Sequence, residues 1–276
     1  MVEPKEKRRK QMTSSSSPVT IATWNVNSIR MRIPLLLSWL REANPDIVLL
    51  QETKTTDDKF PREEIETLHY NIATFGQKSY NGVAILSKFP LEDVMYGLPD
   101  GDSEQARYIE AVTGGVRVAS IYVPNGTDVE SDKYLYKLKF LKDLYSHTQT
   151  LLTYDEAFVL GGDFNVAPTD QDVYDPQEWH ERLLCSTPER EGLRALMYLG
   201  LTDALRECHL EEKDLYTWWD YRAAMWPKNF GLRIDHLLLS PQAADLLESS
   251  SVEKKIRGLE KTSDHAPVLC TLNCFP

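Results

Sequence analysis

The sequence predicts a single α/β domain in which two packed β-sheets carry helices on their outer faces. Three observations favour this class: β-branched runs alternate with helical patterns, hairpin turns are mixed with longer crossovers, and no linker rich in Gly, Pro or Ser divides the chain. The 276 residues could form one large domain or two small ones. The unbroken pattern favours one domain over 18–276, after a basic, serine-rich tail over 1–17 that is expected to be disordered.

The pattern begins as a strand, helix, strand unit. Residues 19–26 (VTIATWNV) predict a strand, 32–45 repeat Ile and Leu at helical spacing, and 46–52 (DIVLLQE) predict a buried strand. Because the carboxyl ends of parallel strands meet at one sheet edge, Asn25 and Glu52 are expected to be neighbours.

Later segments add hairpins and further crossovers. Asn81-Gly82 and Gly114-Gly115 are suited to hairpin turns, which indicates antiparallel pairing around them. The other predicted elements are strands over 70–75, 81–87, 116–123, 157–165, 232–240 and 266–272, and helices over 133–152, 192–201 and 241–248.

Composition restricts the class of protein. The longest apolar stretches are too short to span a bilayer, the start lacks a secretory signal pattern, and the four cysteines form no C-x-x-C pair. These features favour a cytoplasmic protein with reduced thiols and no membrane association.

The net charge of −11 leaves two interpretations of the substrate open. A protein that binds nucleic acid mainly by counterion release is expected to be basic. Either the substrate is not a polyanion, or the acidic residues are concentrated at a metal site and away from a local basic groove.

Polar side chains recur at six predicted strand ends. Each has an ordinary explanation on its own, such as a helix cap, a turn or a surface ion pair. Together, several carboxylates beside one imidazole would repel one another without a cation, and oxygen ligands select Mg²⁺, Mn²⁺ or Ca²⁺ over Zn²⁺. The pattern therefore predicts a hard metal and phosphate ester chemistry. The residues concerned are Asn25, Glu52, Tyr122, Asp163, Asn165, Asp235, Asp264 and His265.

The chain contains two Asp-His pairs with different expected roles. Asp264-His265 precedes the alternating strand over 266–272, where the pair alone fits a simple turn as well as a site. With a phosphate ester as substrate, His265 could bind a non-bridging oxygen while Asp235 fixes its tautomer. Successive strand side chains face opposite ways, so His236 is expected to face away from the site.

Five segments occur in a characteristic order over 23–268: TWNVNSIR, LLQETK, YVPNG, GGDFNVAPTD and GLRIDHLLLS…SDHAPV. Together they resemble the exonuclease III family of abasic-site endonucleases, in the endonuclease/exonuclease/phosphatase superfamily. The GDxN and SDH motifs mark only the superfamily, whereas QETK, GQKSYNGVAIL, YTWWDYR and GLRID are typical of its DNA-repair branch. The resemblance implies a four-layered α/β sandwich of two packed mixed sheets flanked by helices.

The resemblance also implies roles for the polar residues. Glu52 resembles the principal Mg²⁺ ligand, and Asp163 resembles the group that activates water or protonates the leaving oxygen. Asn27 stands where the animal branch has Asp, which weakens the case for a second metal. The implied catalytic residues are Tyr122, Asp163, Asn165, Asp235 and His265, and the implied metal-binding residues are Asn25, Glu52, Asp163, Asn165, Asp264 and His265.

Substrate selection is expected to depend on an apolar pocket with a basic rim. Trp218 and Leu232 resemble walls that admit a base-free sugar, which is cheap to extrude because it has no stacking or pairing to lose. For Trp219, next to Trp218, core packing is the alternative role. The residues expected to bind substrate are Lys54, Arg107, Trp218, Arg222 and Leu232, and Lys78, Lys228 and Arg233 are further candidates for the rim.

The function implied is a Mg²⁺-dependent repair nuclease, with Mn²⁺ as a substitute. It would act as a monomer on double-stranded DNA, cut 5′ to abasic sites, and also remove nucleotides and blocking groups from 3′ ends. The alternatives are a phosphatase or phospholipase of the same superfamily, and an inactive DNA-binding module.

Overall fold

A computed structural model describes residues 18–273 and contains two six-stranded mixed sheets packed face to face. The tail predicted over 1–17 lies outside the described residues. The strands are β1 (Val19–Asn25), β2 (Ile47–Gln51), β3 (Asn71–Phe75), β4 (Val83–Ser87), β5 (Glu92–Tyr96), β6 (Tyr108–Thr113), β7 (Val116–Tyr122), β8 (Phe158–Asp163), β9 (Thr202–Asp203), β10 (Asp235–Leu239), β11 (Leu247–Val252) and β12 (Val268–Leu272). The helices are α1 (Ile29–Ala43), α2 (Arg62–Glu66), α3 (Asp132–Leu152), α4 (Thr187–Tyr198), α5 (Ala204–Cys208), α6 (Met225–Lys228), α7 (Pro241–Ala244) and α8 (Lys254–Arg257).

The two sheets have matching topologies. The first has the order β11-β12-β1-β2-β4-β3, and the second has the order β5-β6-β7-β8-β10-β9. In each sheet the only parallel pair among the described strands is central: β1 with β2, and β7 with β8. Helices α1 and α3 make the two crossovers. The carboxyl ends of four central strands therefore meet at one edge of the sandwich.

Alternating strand side chains build a core on both faces of each sheet. Between the sheets lie residues such as Ile21, Leu49 and Leu237. The opposite faces pack against helices, with Trp24 among the residues against α1 and Leu160 among those against α3. Helix, sheet, sheet and helix form four layers, so the predicted four-layered α/β sandwich is confirmed.

The structure corrects several element predictions. The helix expected over 241–248 ends at Ala244, and the serine-rich β11 follows because β12 offers it an open edge. Gly114-Gly115 makes the predicted two-residue hairpin turn, with φ of 58° and 83°. Asn81-Gly82 instead ends a longer connection between β3 and β4, where its carbonyls accept from the main chain beside Glu52.

Further strands, β5 and β6, were not predicted; β5 is a largely exposed edge strand with no apolar alternation. None of the helices in the described part of the chain is both long and apolar enough to cross a membrane.

Candidate active site

Strand ends from both sheets place the predicted polar residues together. Asn25 ends β1, Asp163 ends β8, and Glu52 directly follows β2. The Asn25 Nδ2 donates to Glu52 Oε1 at 2.8 Å and to Asp163 Oδ2 at 2.8 Å. One amide therefore joins a carboxylate from the first sheet to a carboxylate from the second.

Left-handed backbone conformations are concentrated beside these strand ends. Glu52 has φ of 50°, Asn165 has φ of 51° and Asn27 has φ of 44°. Such conformations cost free energy in residues other than glycine and persist only where the surroundings enforce them. At Glu52 the conformation is held by main-chain hydrogen bonds: the Thr53 N–H donates to the Gly82 carbonyl, and the Ser28 N–H donates to the Glu52 carbonyl.

His265 is fixed by a buried carboxylate. Its Nδ1 lies 2.9 Å from Asp235 Oδ2, which also accepts from Thr217 Oγ1 at 2.6 Å. Its Nε2 faces the cavity, 3.8 Å from Asp163 Oδ2. Burial alone would lower the pKa of His265, but Asp235 and Asp163 raise it to about 10. The ring is therefore an imidazolium at neutral pH, with one N–H directed into the site.

Asp163 has an unusual protonation equilibrium. Burial raises the pKa of Asp163, His265 opposes this effect, and Asp235 and Glu52 add to it, which leaves the pKa at about 7. A carboxyl group with this pKa can accept or release a proton at neutral pH.

Tyr122, at the end of β7, lines the same cavity. Burial and the nearby Glu52 and Asp163 carboxylates raise the pKa of Tyr122 well above its usual value, so its hydroxyl is a neutral donor.

We use the name acidic cluster for Glu52, Asp163, Asp235, Asp264 and His265. Within it Glu52, Asp163 and His265 offer ligand atoms that all lie within 4.8 Å of one another. A buried carboxylate and a half-buried one at this separation fit a hard divalent cation, because only His265 and the Lys54 ammonium, 2.7 Å from Glu52 Oε2, offset them among the contacts seen. The acidic cluster is therefore a candidate metal centre.

The other predicted metal-binding residues have different partners. The Asn25 Oδ1 accepts from the Asn27 N–H, and the Asn165 Oδ1 accepts from Asn125 Nδ2. Both Asp264 oxygens accept hydrogen bonds, from Asn27 Nδ2 at 2.9 Å and from Trp218 Nε1 at 3.0 Å. In this structure these three groups orient their neighbours, whereas Glu52 and Asp163 face one shared point.

A cavity of about 640 Å³ opens above the acidic cluster. Trp218 lines it as predicted, together with Trp179, Leu184 and Ile234, and Arg222 lies at its edge. Leu232 does not line it: its side chain is 0% exposed and packs behind Trp218. The prediction of Leu232 as a pocket wall therefore disagrees with the structure.

The predicted basic rim is only partly present. Lys54 and Arg107 line a second cavity of about 540 Å³ that shares Glu52 and Tyr122 with the first. The Arg107 guanidinium lies 4.8 Å from the centre of the Tyr122 ring. The exposed side chains of Lys78 and Lys228 line neither cavity.

Arg233 is a wrong prediction for the rim, because it is buried in an ionic network beneath the sheet edge. Its Nε donates to Asp172 Oδ1 at 2.7 Å and one terminal nitrogen donates to Asp203 Oδ2 at 2.6 Å. Arg206 also donates to Asp172, and a terminal nitrogen of Arg233 donates to His236 Nδ1 at 3.1 Å. We call these five residues the Arg233 network. His236 faces away from the acidic cluster, as expected.

Two neighbours of the site were not predicted: Thr217, which fixes Asp235, and Asn125, which fixes Asn165. The predicted wall residue Trp218 also holds Asp264 through its indole N–H. Thr217 and Asn125 fall within the YTWWDYR and YVPNG motifs, so the motifs contained a signal for them. The buried Lys137 has no comparable signal, because a lysine on an amphipathic helix normally faces solvent.

Comparisons with known proteins agree with this arrangement. The sequence pattern of the Endonuclease/Exonuclease/phosphatase family matches residues 22–265. Exodeoxyribonuclease III of Haemophilus influenzae is 33% identical over 258 residues, which cover 89% of this chain and 97% of that protein.

Two solved structures have nearly the same fold. The 3′ phosphatase NExo from Neisseria, solved with a product DNA hairpin, is 44% identical with a TM-score of 0.89, covering 92% of this chain and 99% of that one. An AP endonuclease from Archaeoglobus fulgidus is 36% identical with a TM-score of 0.89, over 92% and 99% of the two chains.

Proposed function

Since the chain belongs to the endonuclease/exonuclease/phosphatase family, and within it to the exodeoxyribonuclease III and AP endonuclease branch, we propose that it incises duplex DNA 5′ to abasic sites with Mg²⁺ as cofactor. It is a DNA repair nuclease, a hydrolase of DNA phosphodiester bonds. Beyond this activity, we propose the abasic substrate, Mg²⁺ as the metal, cleavage on the 5′ side and action as a monomer.

The observation that carries the proposal is the contact of Asn25 with both Glu52 and Asp163 beside the His265 imidazolium. This arrangement combines a site for a hard cation, a group for proton transfer and a preset cationic donor within one cavity. These are the components that phosphodiester hydrolysis requires.

In the proposed reaction, a water molecule attacks the phosphorus and the bond to the 3′ oxygen of the upstream nucleotide breaks. Asp163 accepts a proton from the attacking water. The departing 3′ oxygen takes a proton from solvent and leaves as a hydroxyl. His265 donates through Nε2 to a non-bridging oxygen as negative charge develops there. Asn165 and the neutral Tyr122 hydroxyl position the phosphate.

A bound Mg²⁺ would be held by the Glu52 and Asp163 carboxylates and would neutralise charge on the phosphate oxygens. Asn27, which takes the place of an Asp in the animal branch, binds Asp264 and Lys54 and leaves no further carboxylate free there. The proposal therefore includes one tightly bound metal, with Mn²⁺ as a substitute.

The cavity supports an abasic substrate. Trp218, Leu184 and Ile234 give one wall an apolar surface directly above the acidic cluster. A sugar without a base can be extruded against such a wall at little cost, because it has no stacking or base pairing to lose.

A second candidate activity is removal of 3′ phosphates and 3′-terminal nucleotides. The Neisseria relative is described as a 3′ phosphatase and was solved with a product DNA hairpin. The same attack on phosphorus would release phosphate from a 3′ end or a terminal nucleotide from a strand, so one site could serve these reactions.

One gel experiment tests the proposal. A duplex with a single abasic site, labelled at its 5′ end, is incubated with protein and Mg²⁺, with Mn²⁺, or with a chelator. We expect a shortened product ending in a 3′-hydroxyl in both metals and none in the chelator. A 3′-phosphorylated duplex and an inositol phosphate are run in parallel. Cleavage of only the inositol phosphate would replace the proposal with the superfamily phosphatase alternative.

A further inference from the structure

A lysine buried in helix α3 contacts two loops of the active site. Lys137 is 0% exposed, yet it carries an ammonium group with three protons to donate. Its Nζ donates to the carbonyl of Asn165 at 2.7 Å, to the carbonyl of Asn125 at 3.1 Å, and to Glu189 Oε1. All three donor positions are therefore used, and two of them hold main chain next to the acidic cluster.

The partner carboxylate extends the same network to a cavity wall. Glu189, on α4, is 0% exposed and accepts from the main-chain N–H groups of Leu184 at 3.1 Å and Ser186 at 3.0 Å. It also accepts from the Ser186 hydroxyl at 2.6 Å. Leu184 lines the large cavity and has φ of 74°, a strained conformation for a branched residue.

The loops that Lys137 joins come from different strands. Asn125 follows β7 and Asn165 follows β8, and the Asn125 Nδ2 donates to Asn165 Oδ1 at 3.1 Å. Asn165 also donates its own main-chain N–H to Asp163 Oδ1 at 2.9 Å. A shift of the Asn165 carbonyl would therefore be transmitted to Asp163 within two residues.

Stability alone does not account for a buried ion pair at this place. Replacing such a pair by uncharged groups of similar volume is often neutral or stabilising. A hydrophobic contact between α3 and α4 already exists through residues such as Leu141 and Leu193. The distinctive property of Lys137 is that one compact cation can bind two carbonyls from separate loops at once.

We propose that Lys137 is a positioning residue of the nuclease, which fixes the Asn125 and Asn165 loops relative to each other and to Asp163. Lys137 acts without contacting substrate. Glu189 keeps the Lys137 ammonium in place and also accepts a hydrogen bond from the Leu184 main chain. This proposal rests on the proposed role of Asn165 in positioning the phosphate. Small displacements of catalytic groups cost rate, with about 100-fold lost for a shift of about 1 Å.

The experiment compares Glu189→Gln with the double variant Lys137→Met/Glu189→Gln, which differs from it only in the lysine. Glu189→Gln keeps the three donations of Lys137 possible, so we expect kcat to fall by less than about 3-fold. Glu189→Gln leaves the buried Lys137 ammonium without its carboxylate, whereas the double variant leaves no buried charge unpaired, so the melting temperature of the double variant is expected to be at or above that of Glu189→Gln. Its kcat is expected to be about 10- to 100-fold below wild type with little change in KM, because positioning acts on the chemical step.

Arg117→Met is the matched control for loss of a largely enclosed cation, because the Arg117 side chain is 11% exposed. Arg117 pairs with Glu110 at the opposite end of β7 from Tyr122. We expect the Arg117→Met variant to have a lower melting temperature than wild type and a kcat within about 2-fold of the wild-type value.

Kinetics are measured on whichever DNA wild type cleaves, abasic duplex or a recessed 3′ end. A failure of the abasic proposal is then distinct from a failure of this one. Two results would overturn the role of Lys137: a double variant whose kcat equals that of Glu189→Gln, or an Arg117→Met variant that loses kcat to the same extent. If the single variant Lys137→Met does not fold, the comparison of Glu189→Gln with the double variant still decides.

Discussion

The acidic cluster and the Arg233 network lie on either side of β10, yet their charges are treated in opposite ways. In the Arg233 network the guanidinium groups of Arg206 and Arg233 neutralise Asp172 and Asp203. Although burial opposes it, Arg233 lowers the pKa of both Asp172 and Asp203. In the acidic cluster no arginine within residues 18–273 contacts a carboxylate side chain, and burial with neighbouring acids raises the pKa of Asp163 to about 7.

The comparison distinguishes charges that serve the fold from charges available for chemistry. A buried carboxylate matched by a cation is stable and chemically inert. A buried carboxylate left partly unmatched destabilises the protein and has affinity for a metal, a proton or a cationic donor. Asp235 of the acidic cluster lies two residues after Arg233 and directly before His236, which both belong to the Arg233 network. Neighbouring residues of the chain therefore serve the two roles.

The largest expected effect comes from removing the unmatched carboxylate. We expect Asp163→Asn to lower kcat by about 10²- to 10⁴-fold, because proton transfer and metal binding are both lost. Stability should not fall, since a destabilising charge is removed. Single-turnover cleavage of labelled duplex and thermal unfolding measure the two effects. An active Asp163→Asn variant would mean that the acidic cluster is not the reaction centre.

The reverse result is expected for the matched network. Arg233→Met should lower the free energy of unfolding by about 3–5 kcal/mol, because it leaves Asp172 and Asp203 buried without their main partner. The folded protein should retain kcat within a few-fold. Urea unfolding measures the change, with Arg222→Met as the control: the Arg222 side chain is 86% exposed, and its pair with Asp220 should matter little. Equal losses in the two variants would contradict the comparison.

The pH dependence of stability should have opposite signs in the two regions. Because the folded-state pKa of Asp163 is raised, folding takes up a proton between about pH 4 and 7. The free energy of unfolding of metal-free wild type should therefore fall by up to about 1.4 kcal/mol for each unit that the pH rises in this range. The free energy of unfolding of Asp163→Asn should not show this fall. Because folding lowers the pKa of Asp172, its stabilisation is present above about pH 4 and disappears as pH falls below it.

Chemical unfolding across pH in a chelating buffer tests this. A difference in the free energy of unfolding between wild type and Asp163→Asn that stays constant from pH 4 to 7 would contradict the raised pKa of Asp163. Addition of Mg²⁺ at pH 7 should reduce the difference, because a bound cation neutralises the same charge.

The smallest effect is expected at the cavity wall. Trp218→Phe keeps an aromatic surface but removes the indole donor to Asp264, so we expect kcat/KM on abasic duplex to fall by about 10-fold. Leu232→Met, behind Trp218, should leave kcat/KM unchanged and cost less than about 1.5 kcal/mol of stability. Steady-state kinetics of both variants measure this. A larger kinetic loss in Leu232→Met than in Trp218→Phe would restore Leu232 as a pocket residue.

The sequence was sufficient to predict where the reactive groups lie, because strand periodicity is local. Asn25, Glu52 and Asp163 each stand at the end of an alternating or buried run, and parallel pairing brings such ends together. Local patterns predicted two packed sheets with outer helices, and the family resemblance gave the same arrangement as a four-layered sandwich.

The sequence was insufficient wherever a residue's partner is distant. Arg233 next to Asp235 resembles a phosphate ligand, but Asp172 and Asp203 lie 61 and 30 positions earlier in the chain. The helix predicted over 241–248 ran into the first residues of β11, because pairing with β12, and not local composition, decides the conformation there. Lys137 was overlooked for the same reason, since its acceptors lie on other elements.

The pairing of β1 with β12 has a consequence for biosynthesis. Ser263, which bonds the Asn25 carbonyl, and its neighbour His265 leave the ribosome long after β1, since Ser263 and Asn25 are 238 positions apart. Until β12 emerges, β1 has an open edge and the imidazolium is missing. A nascent chain without residues 263–272 therefore lacks both the strand partner of β1 and the His265 donor, so the acidic cluster is complete only after β12 has been synthesised.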